Sequence, residues 1–467
     1  ASQQAPINIP AMKRALFRAG KVLTSSNSTY KKRAEVIAEV SDYNDINTAL
    51  FLLNRLSKLS KSVQYRWFIS QTRYTLLHVE ALEMERAFAK YTDSRIVDMC
   101  LMNIKKLDEV GKLTLLQGLK ACPSKILDEY YFRLLNQSRK HTERILAIDA
   151  AGFRKLEKAL PLLHGYCANE KMPFAMRCAS IRALARMARK ESIEYLAGCL
   201  KANETRKGRI FWEAYNALWT ITGKQFASVK EMEEWWKENK QTFIPPEKPT
   251  LHFNAEMTGQ HKWDMFYGIP IVGNRIMFVL DRSGSMQGDK IDGVQKEVKR
   301  IAVELGEEKY FNIMFFNQGT ELWCNRKPFI FKAMDSAKHG IDSFLLSVTA
   351  SGGTATEVAM QKTLTSILPE ADLDTVILLS DGLPNNDPYF VQYSIYQTNR
   401  YLKARIHTIY INDPGMGDVN ADSDSLAAKS NNPSLLASQL MDNIARTNDG
   451  LFKNITPQQA QQGGGKK

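Results

Sequence analysis

The chain has 467 residues, 44% of them apolar and 24% charged, a balance that excludes a largely disordered or collagen-like protein. No uninterrupted apolar run approaches the ~18 residues of a membrane-crossing helix. The net charge of +13 is uneven: residues 1–250 carry 42 basic and 26 acidic side chains (+16), and residues 251–467 carry 21 and 24 (−3), so a basic half precedes a mildly acidic one.

Residues 1–32 read as an N-terminal extension. The chain starts at Ala1 with a polar Ala-Ser-Gln-Gln-Ala-Pro stretch, which would suit a mature exported chain. From 33 to 240 the apolar spacing is helical, in segments of ~10–16 residues separated by short polar breaks. Ser180-Ile181-Arg182-Ala183-Leu184 recurs 34 residues later as Ala214-Tyr215-Asn216-Ala217-Leu218, and Ile148-Asp149-Ala150-Ala151 is an earlier relative. Two helices per repeat predict a stacked array, because a single pair cannot bury its own apolar face. These features resemble HEAT-type repeats, which implies an α-solenoid of helix pairs. Pro161 is expected to bend its helix. Gly223 should stop the array, and a helix from Glu231 to Asn239, with Trp235 and Trp236, should cap its core. Six cysteines without a C-x-x-C pair read as buried hydrophobes, with a disulfide left open.

Residues 241–269 form a linker marked by Pro245-Pro246-Glu247-Lys248-Pro249. Beyond it strands and helices alternate. Strands are expected at Ile276–Leu280, Tyr310–Phe316, Thr375–Leu379 and Ile406–Ile411. Helices are expected at 290–305, 333–346, 357–368, 388–402 and 434–447, and Gly450-Leu451-Phe452-Lys453 follows the last of them. Continuous apolar strands imply a mostly parallel sheet covered on both faces, a doubly wound α/β fold. Residues 457–467, ending in Gly463-Gly464-Gly465-Lys466-Lys467, read as a flexible tail.

In such folds ligands bind at the carboxyl ends of the strands. Three loops there are rich in oxygen: Asp281-Arg282-Ser283-Gly284-Ser285, Ser351-Gly352-Gly353-Thr354 and Ser380-Asp381-Gly382. Two carboxylates and several hydroxyls, with neither Cys nor His, suit Mg²⁺ or Mn²⁺ and suit Ca²⁺ less. This pattern resembles the von Willebrand factor A domain with its metal-ion-dependent adhesion site. Asp281, Ser283, Ser285, Thr354 and Asp381 fill every slot of the family pattern, over a domain of about residues 270–456. The resemblance implies that Ser283, Ser285 and Thr354 touch the ion, that Asp281 and Asp381 supply charge and orientation, and that a partner Asp or Glu carboxylate completes the shell. Arg282 and Gly353 are the expected partner-facing positions.

Enzyme motifs are absent. The seven histidines make no H-E-x-x-H, Ser283 and Ser285 lie outside G-x-S-x-G, and no P-loop occurs. The second aspartate that an aspartyl phosphatase needs is Ser283. The expectation is therefore a non-catalytic adhesion or scaffold protein that binds a protein partner through a divalent ion. The alternative is an RNA-binding protein using the basic repeat surface: repeats followed by an A-type domain are similar to the Ro autoantigen family, whose repeat ring binds small structured RNA.

Overall fold

A computed structural model describes residues 7–25, 27–65, 71–205, 208–251, 264–334, 340–412 and 433–462. The chain divides into two compact units, residues 1–163 and 164–467.

The first unit is helix-rich: α1 (Ile9–Thr24), α2 (Tyr30–Ser41), α3 (Ile46–Tyr65), α4 (Gln71–Phe88), α5 (Ser94–Asn103), α6 (Glu109–Leu119), α7 (Ile126–Gln137) and α8 (His141–Arg154). Short polar side chains start several of them. Asn8 accepts from the Ala11 N–H, and Asp93 and Asp108 do the same for α5 and α6. The expected N-terminal extension therefore contains a full helix, whose Met12, Ala15, Ala19 and Leu23 are buried at three-to-four-residue spacing. Helix α2 packs on α4, α4 on α6, and α7 on α8. The α4–α6 approach is close enough that a Cβ on Gly118 would lie 2.5 Å from the Glu85 carbonyl oxygen. Inside this unit Glu80, fully buried, is ion-paired with both Arg33 and Arg55.

Helix α9 (Leu160–Ala168) follows a 3₁₀ turn, Glu157–Ala159. The bend expected at Pro161 does not arise, because Pro161 is the second residue of α9, where a missing N–H breaks no hydrogen bond.

The second unit begins with α10 (Phe174–Met187), α11 (Ser192–Ala202), α12 (Arg209–Thr222) and α13 (Val229–Asn239). The 34-residue recurrence falls on α10 and α12, which pack together, and Gly223 ends α12 at φ 70°. The Ser228 hydroxyl caps α13, whose Trp235 and Trp236 cluster with Phe226 and Phe243.

The rest of this unit is a sheet with helices on its faces. A two-stranded hairpin, β1 (Met265–Phe266) and β2 (Ile269–Pro270), turns through Tyr267 and Gly268, both at positive φ. Phe266, Tyr267 and Ile269 are buried in the core of the sheet domain, so residues 264–269 of the expected linker pack against it. The main sheet contains β3 (Arg275–Asp281), β4 (Tyr310–Phe316), β5 (Thr320–Leu322), β6 (Phe331–Lys332), β7 (Thr375–Ser380), β8 (Arg405–Ile411) and β9 (Phe452–Ile455). Its order is β5-β4-β3-β7-β8-β9, with β6 also on β4. Strands β4, β3, β7, β8 and β9 run parallel, whereas β5 and β6 are antiparallel to β4. Every residue of β7 and β8 is buried, as strands covered on both faces must be.

Helices of this part are α14 (Asp289–Glu304), then Ile341–Ser347, Thr356–Lys362 continuing through a π-turn to Leu368–Ala371, Pro388–Asn399, Pro433–Thr447 and Pro457–Gln462. The helix expected over 333–346 is shorter. Residues 331–332 form β6, Ala333 hydrogen-bonds to Lys309, and the helix begins at Ile341; residues 335–339 lie outside the described set. The tail is also corrected. Pro457–Gln462 is helical and packs on α14, Ala460 is buried, and its carbonyl accepts from the Tyr267 hydroxyl at 3.0 Å; residues 463–467 lie outside the described set.

Helices α10 and α12 serve the start of the strands. A Cβ on Gly208 would lie 2.3 Å from Asn274 Nδ2, next to β3. Arg182 of α10 ion-pairs with both Glu213 of α12 and Asp449, just before β9. Asp374, at the start of β7, accepts the N–H groups of Asn274 and Arg275 at 2.9 and 3.2 Å. The opposite, carboxyl end of the sheet is left for a site.

Candidate metal-binding site

From β3 the chain crosses outward to β4 and then returns to the other side of β3 as β7. The loops at the carboxyl ends of β3 and β7 thus diverge from a switch point, which opens a crevice. Asp281 is the last residue of β3, and Asp381 directly follows β7.

The loop after β3 folds on Asp281. Its Oδ1 accepts the Ser283 N–H at 2.7 Å, and Oδ2 accepts the Ser380 hydroxyl at 2.5 Å. The Ser283 and Ser285 hydroxyl oxygens are 3.1 Å apart, and Ser285 donates to Asp381 Oδ1 at 2.7 Å. The third loop is stitched to the first: Gly284 N–H donates to the Gly352 carbonyl at 2.9 Å, and Ser351 N–H to the Arg282 carbonyl at 2.8 Å. Asn385 grips Thr354 on both sides, accepting its N–H at 3.1 Å and donating to its carbonyl at 2.8 Å. A Cβ on Gly353 would lie 2.8 Å from the Asn385 amide, so the lack of a side chain there permits the approach of the two loops.

The structure therefore brings Asp281, Ser283, Ser285 and Asp381 into one hydrogen-bonded group and anchors the loop that bears Thr354 beside it. Ser285 is exposed, whereas the other four are buried. Arg282 is paired with Glu321 across β5 at 3.0 Å. Reasoning from sequence places Ser380 in an oxygen-bearing loop without giving it the role of holding Asp281, and misses Asn385 and Lys290. Lys290 Nζ lies 2.7 Å from Asp381 Oδ2 and 3.2 Å from the Ser285 carbonyl oxygen. A helix beginning right after the Ser283–Ser285 loop was the available signal for Lys290, since its first turn must lie beside that loop.

The donor set fits a hard cation. In an octahedron with bonds of about 2.1 Å, neighbouring ligand oxygens are about 3.0 Å apart, and the two serine oxygens stand at 3.1 Å. Among the described residues no cluster of three or more His, Cys, Asp or Glu side chains could hold a metal ion. A site here would therefore depend on hydroxyls, which suits Mg²⁺ or Mn²⁺ rather than a softer metal.

Burial pushes Asp281 up to about 7 from an ordinary 3.8, against the opposing bonds from Ser380 and Ser283. A carboxyl whose folded-state value is raised stabilises the fold below its unfolded value and loses that contribution as pH rises through the folded one. Without divalent ions, wild type is thus expected to lose stability relative to Asp281→Asn as pH rises from 3.8 to about 7. Paired urea melts across that window check this; a difference independent of pH would contradict it.

Residues 274–421 match the family model of the von Willebrand factor type A domain. Curated relatives are inter-alpha-trypsin inhibitor heavy chains. Human heavy chain H2 is 30% identical over 164 residues, 33% of this chain and 16% of that protein. Human H4 is 29% identical over 125 residues, 25% of this chain and 13% of that protein. The chain thus spans about one seventh of the length of these relatives. Among solved structures, a von Willebrand factor type A protein from Catenulispora acidiphila aligns at TM-score 0.30 and 15% identity, covering 40% of each chain. Manganese-loaded TRAP protein from Plasmodium vivax aligns at TM-score 0.22 and 20% identity, covering 29% of this chain and 56% of that one.

Proposed function

Starting from a von Willebrand factor type A domain at residues 274–421, we propose that the protein is a non-catalytic binding module whose site takes a divalent ion and, through it, an acidic partner. The supporting observation is the oxygen group at the switch point: Ser283 and Ser285 hydroxyls 3.1 Å apart, with Ser285 bonded to Asp381. Ser283, Ser285 and Thr354 would hold the ion directly, and Asp281 and Asp381 would orient the serines. The ion supplies residual positive charge to which a partner Asp or Glu carboxylate is drawn. In this chain Ser380 and the Ser283 N–H fix Asp281, and Asn385 holds the Thr354 loop in reach. Among the described residues no helix is long and apolar enough to cross a membrane.

We read the helix pairs of residues 33–240 as HEAT-like and as a second docking surface, joined through 241–269 to the A-type domain at 270–456. The RNA alternative draws on the +16 charge of residues 1–250. Five arginines of that segment, Arg33, Arg55, Arg154, Arg182 and Arg209, are engaged with Glu80, Asp128 and Glu213 and little exposed, which takes five positive and three negative charges out of the sum and leaves +14; the oxygen group at the switch point, rather than charge, is what favours the protein-binding reading. Titration of Mg²⁺ and of Mn²⁺ into the full chain by calorimetry tests it. Saturable binding in or below the millimolar range is expected, and absence of binding at millimolar ion would overturn it.

A further inference from the structure

Lys290 stands in the first turn of α14, five residues after Ser285. Its side chain is largely buried and bonds to two residues of the oxygen group, Asp381 and Ser285. Two other charges of this loop region have partners elsewhere. Arg282 is matched by Glu321. Asp289, in the same turn as Lys290, is exposed and accepts a bond from Gln461. Among the described residues, hydrogen bonds tie three ionisable side chains into the oxygen group: Asp281, Asp381 and Lys290.

We propose that Lys290 is a tethered cation that opposes the divalent ion at Asp381, so that the site holds the ion weakly until an acidic partner adds its own negative charge. This rests on the ion-site reading above. The lysine has two effects of opposite sign: it orients Asp381 by one hydrogen bond, and it repels a second cation. Orientation is partly redundant, because the Ser285 hydroxyl also holds Asp381. Repulsion has no substitute, and between a single and a double charge within a few ångströms it is large in a partly desolvated site. Repulsion therefore wins. A partner carboxylate offsets the lysine's charge, so ion and partner each raise the affinity of the other, as linkage requires.

The test is calorimetric titration of Mg²⁺ and Mn²⁺ into the full chain as wild type, Lys290→Gln and Lys290→Arg. Lys290→Gln is expected to bind either ion at least about tenfold more tightly than wild type, and Lys290→Arg, which keeps the charge, within about threefold of it. Equal or weaker binding by Lys290→Gln overturns the proposal while leaving the ion site intact. Tightening by Lys290→Arg to the same extent also overturns it, because charge would then not be the cause. Absence of ion binding in all three proteins would overturn the ion-site reading itself, and this inference with it.

Discussion

Glu213→Ala is expected to destabilise the unit formed by residues 164–467 by about 3–5 kcal/mol, the cost of breaking a buried ion pair by removing one partner. Glu213 is 2% exposed. Its carboxylate takes Arg182 through two parallel bonds of 2.9 and 2.7 Å and lies 2.7 Å from Arg209 Nη2. Arg182 also pairs with Asp449 before β9. The substitution would leave two buried guanidinium groups sharing fewer carboxylates, in a place where water cannot compensate. Burial opposes the charge on Glu213, but Arg182 and Arg209 together pull its carboxyl down to about 2 from 4.5. A depressed carboxyl contributes stability above its unfolded value and loses it as pH falls through the folded one, so the gap between wild type and variant should shrink as pH drops from 4.5 towards 2. Urea melts followed at both tryptophan fluorescence and far-UV circular dichroism measure this. A cost under about 1 kcal/mol would mean that the helices and the sheet do not depend on this ion pair.

The same residues show what the sequence reveals and what it hides. Apolar runs such as Ile276–Leu280 and Val376–Leu379 disclose buried parallel strands, because a strand covered on both faces takes four or five successive apolar residues. The strand ends then locate Asp281 and Asp381, and chain order alone aligns the three oxygen-bearing loops. Short or polar elements escape that logic. Strand β6 has two exposed residues, Phe331 and Lys332, paired to β4 only through its backbone, and β5 is a three-residue turn-back. The β1–β2 hairpin hides inside a segment that reads as linker because its burial comes from distant partners, Glu297 and Ala460. The buried ion cluster of Arg182, Arg209 and Glu213 is only partly recorded in the sequence: Arg209 and Glu213 stand four residues apart on one helix, whereas Arg182 meets Glu213 across 31 residues and Asp449 across 267. The pairing of Lys290 is hidden in the same way: its partner Asp381 lies in the loop after β7, 91 residues on, and no periodicity records a contact between a helix and a distant loop.

The two aspartates of the site should separate when each is replaced. Asp381→Ala is expected to abolish the stabilisation by divalent ion, which for wild type at an ion concentration 100 times its dissociation constant amounts to about 2.7 kcal/mol. The variant also loses the acceptor of Ser285 and the counter-charge of Lys290, so without ion it should be less stable than wild type, by about 1–3 kcal/mol. Asp281→Asn should lose the ion response just as fully but behave oppositely without ion. Wild-type Asp281 is held ionised against burial above about pH 7, and the amide removes that penalty while keeping the shape: its carbonyl oxygen accepts the Ser283 N–H and its NH2 donates to the Ser380 hydroxyl, which turns from donor to acceptor. At pH 8 without ion, Asp281→Asn is therefore expected to melt above wild type and Asp381→Ala below it, with neither shifted by Mg²⁺. Thermal melts of the three proteins with and without 10 mM Mg²⁺, a concentration of about 100 times a 0.1 mM dissociation constant, read both effects at once. If Asp281→Asn kept the Mg²⁺ shift, the carboxylate at the end of β3 would have no part in holding the ion, and the site would have to be rebuilt around Asp381 and the hydroxyls alone.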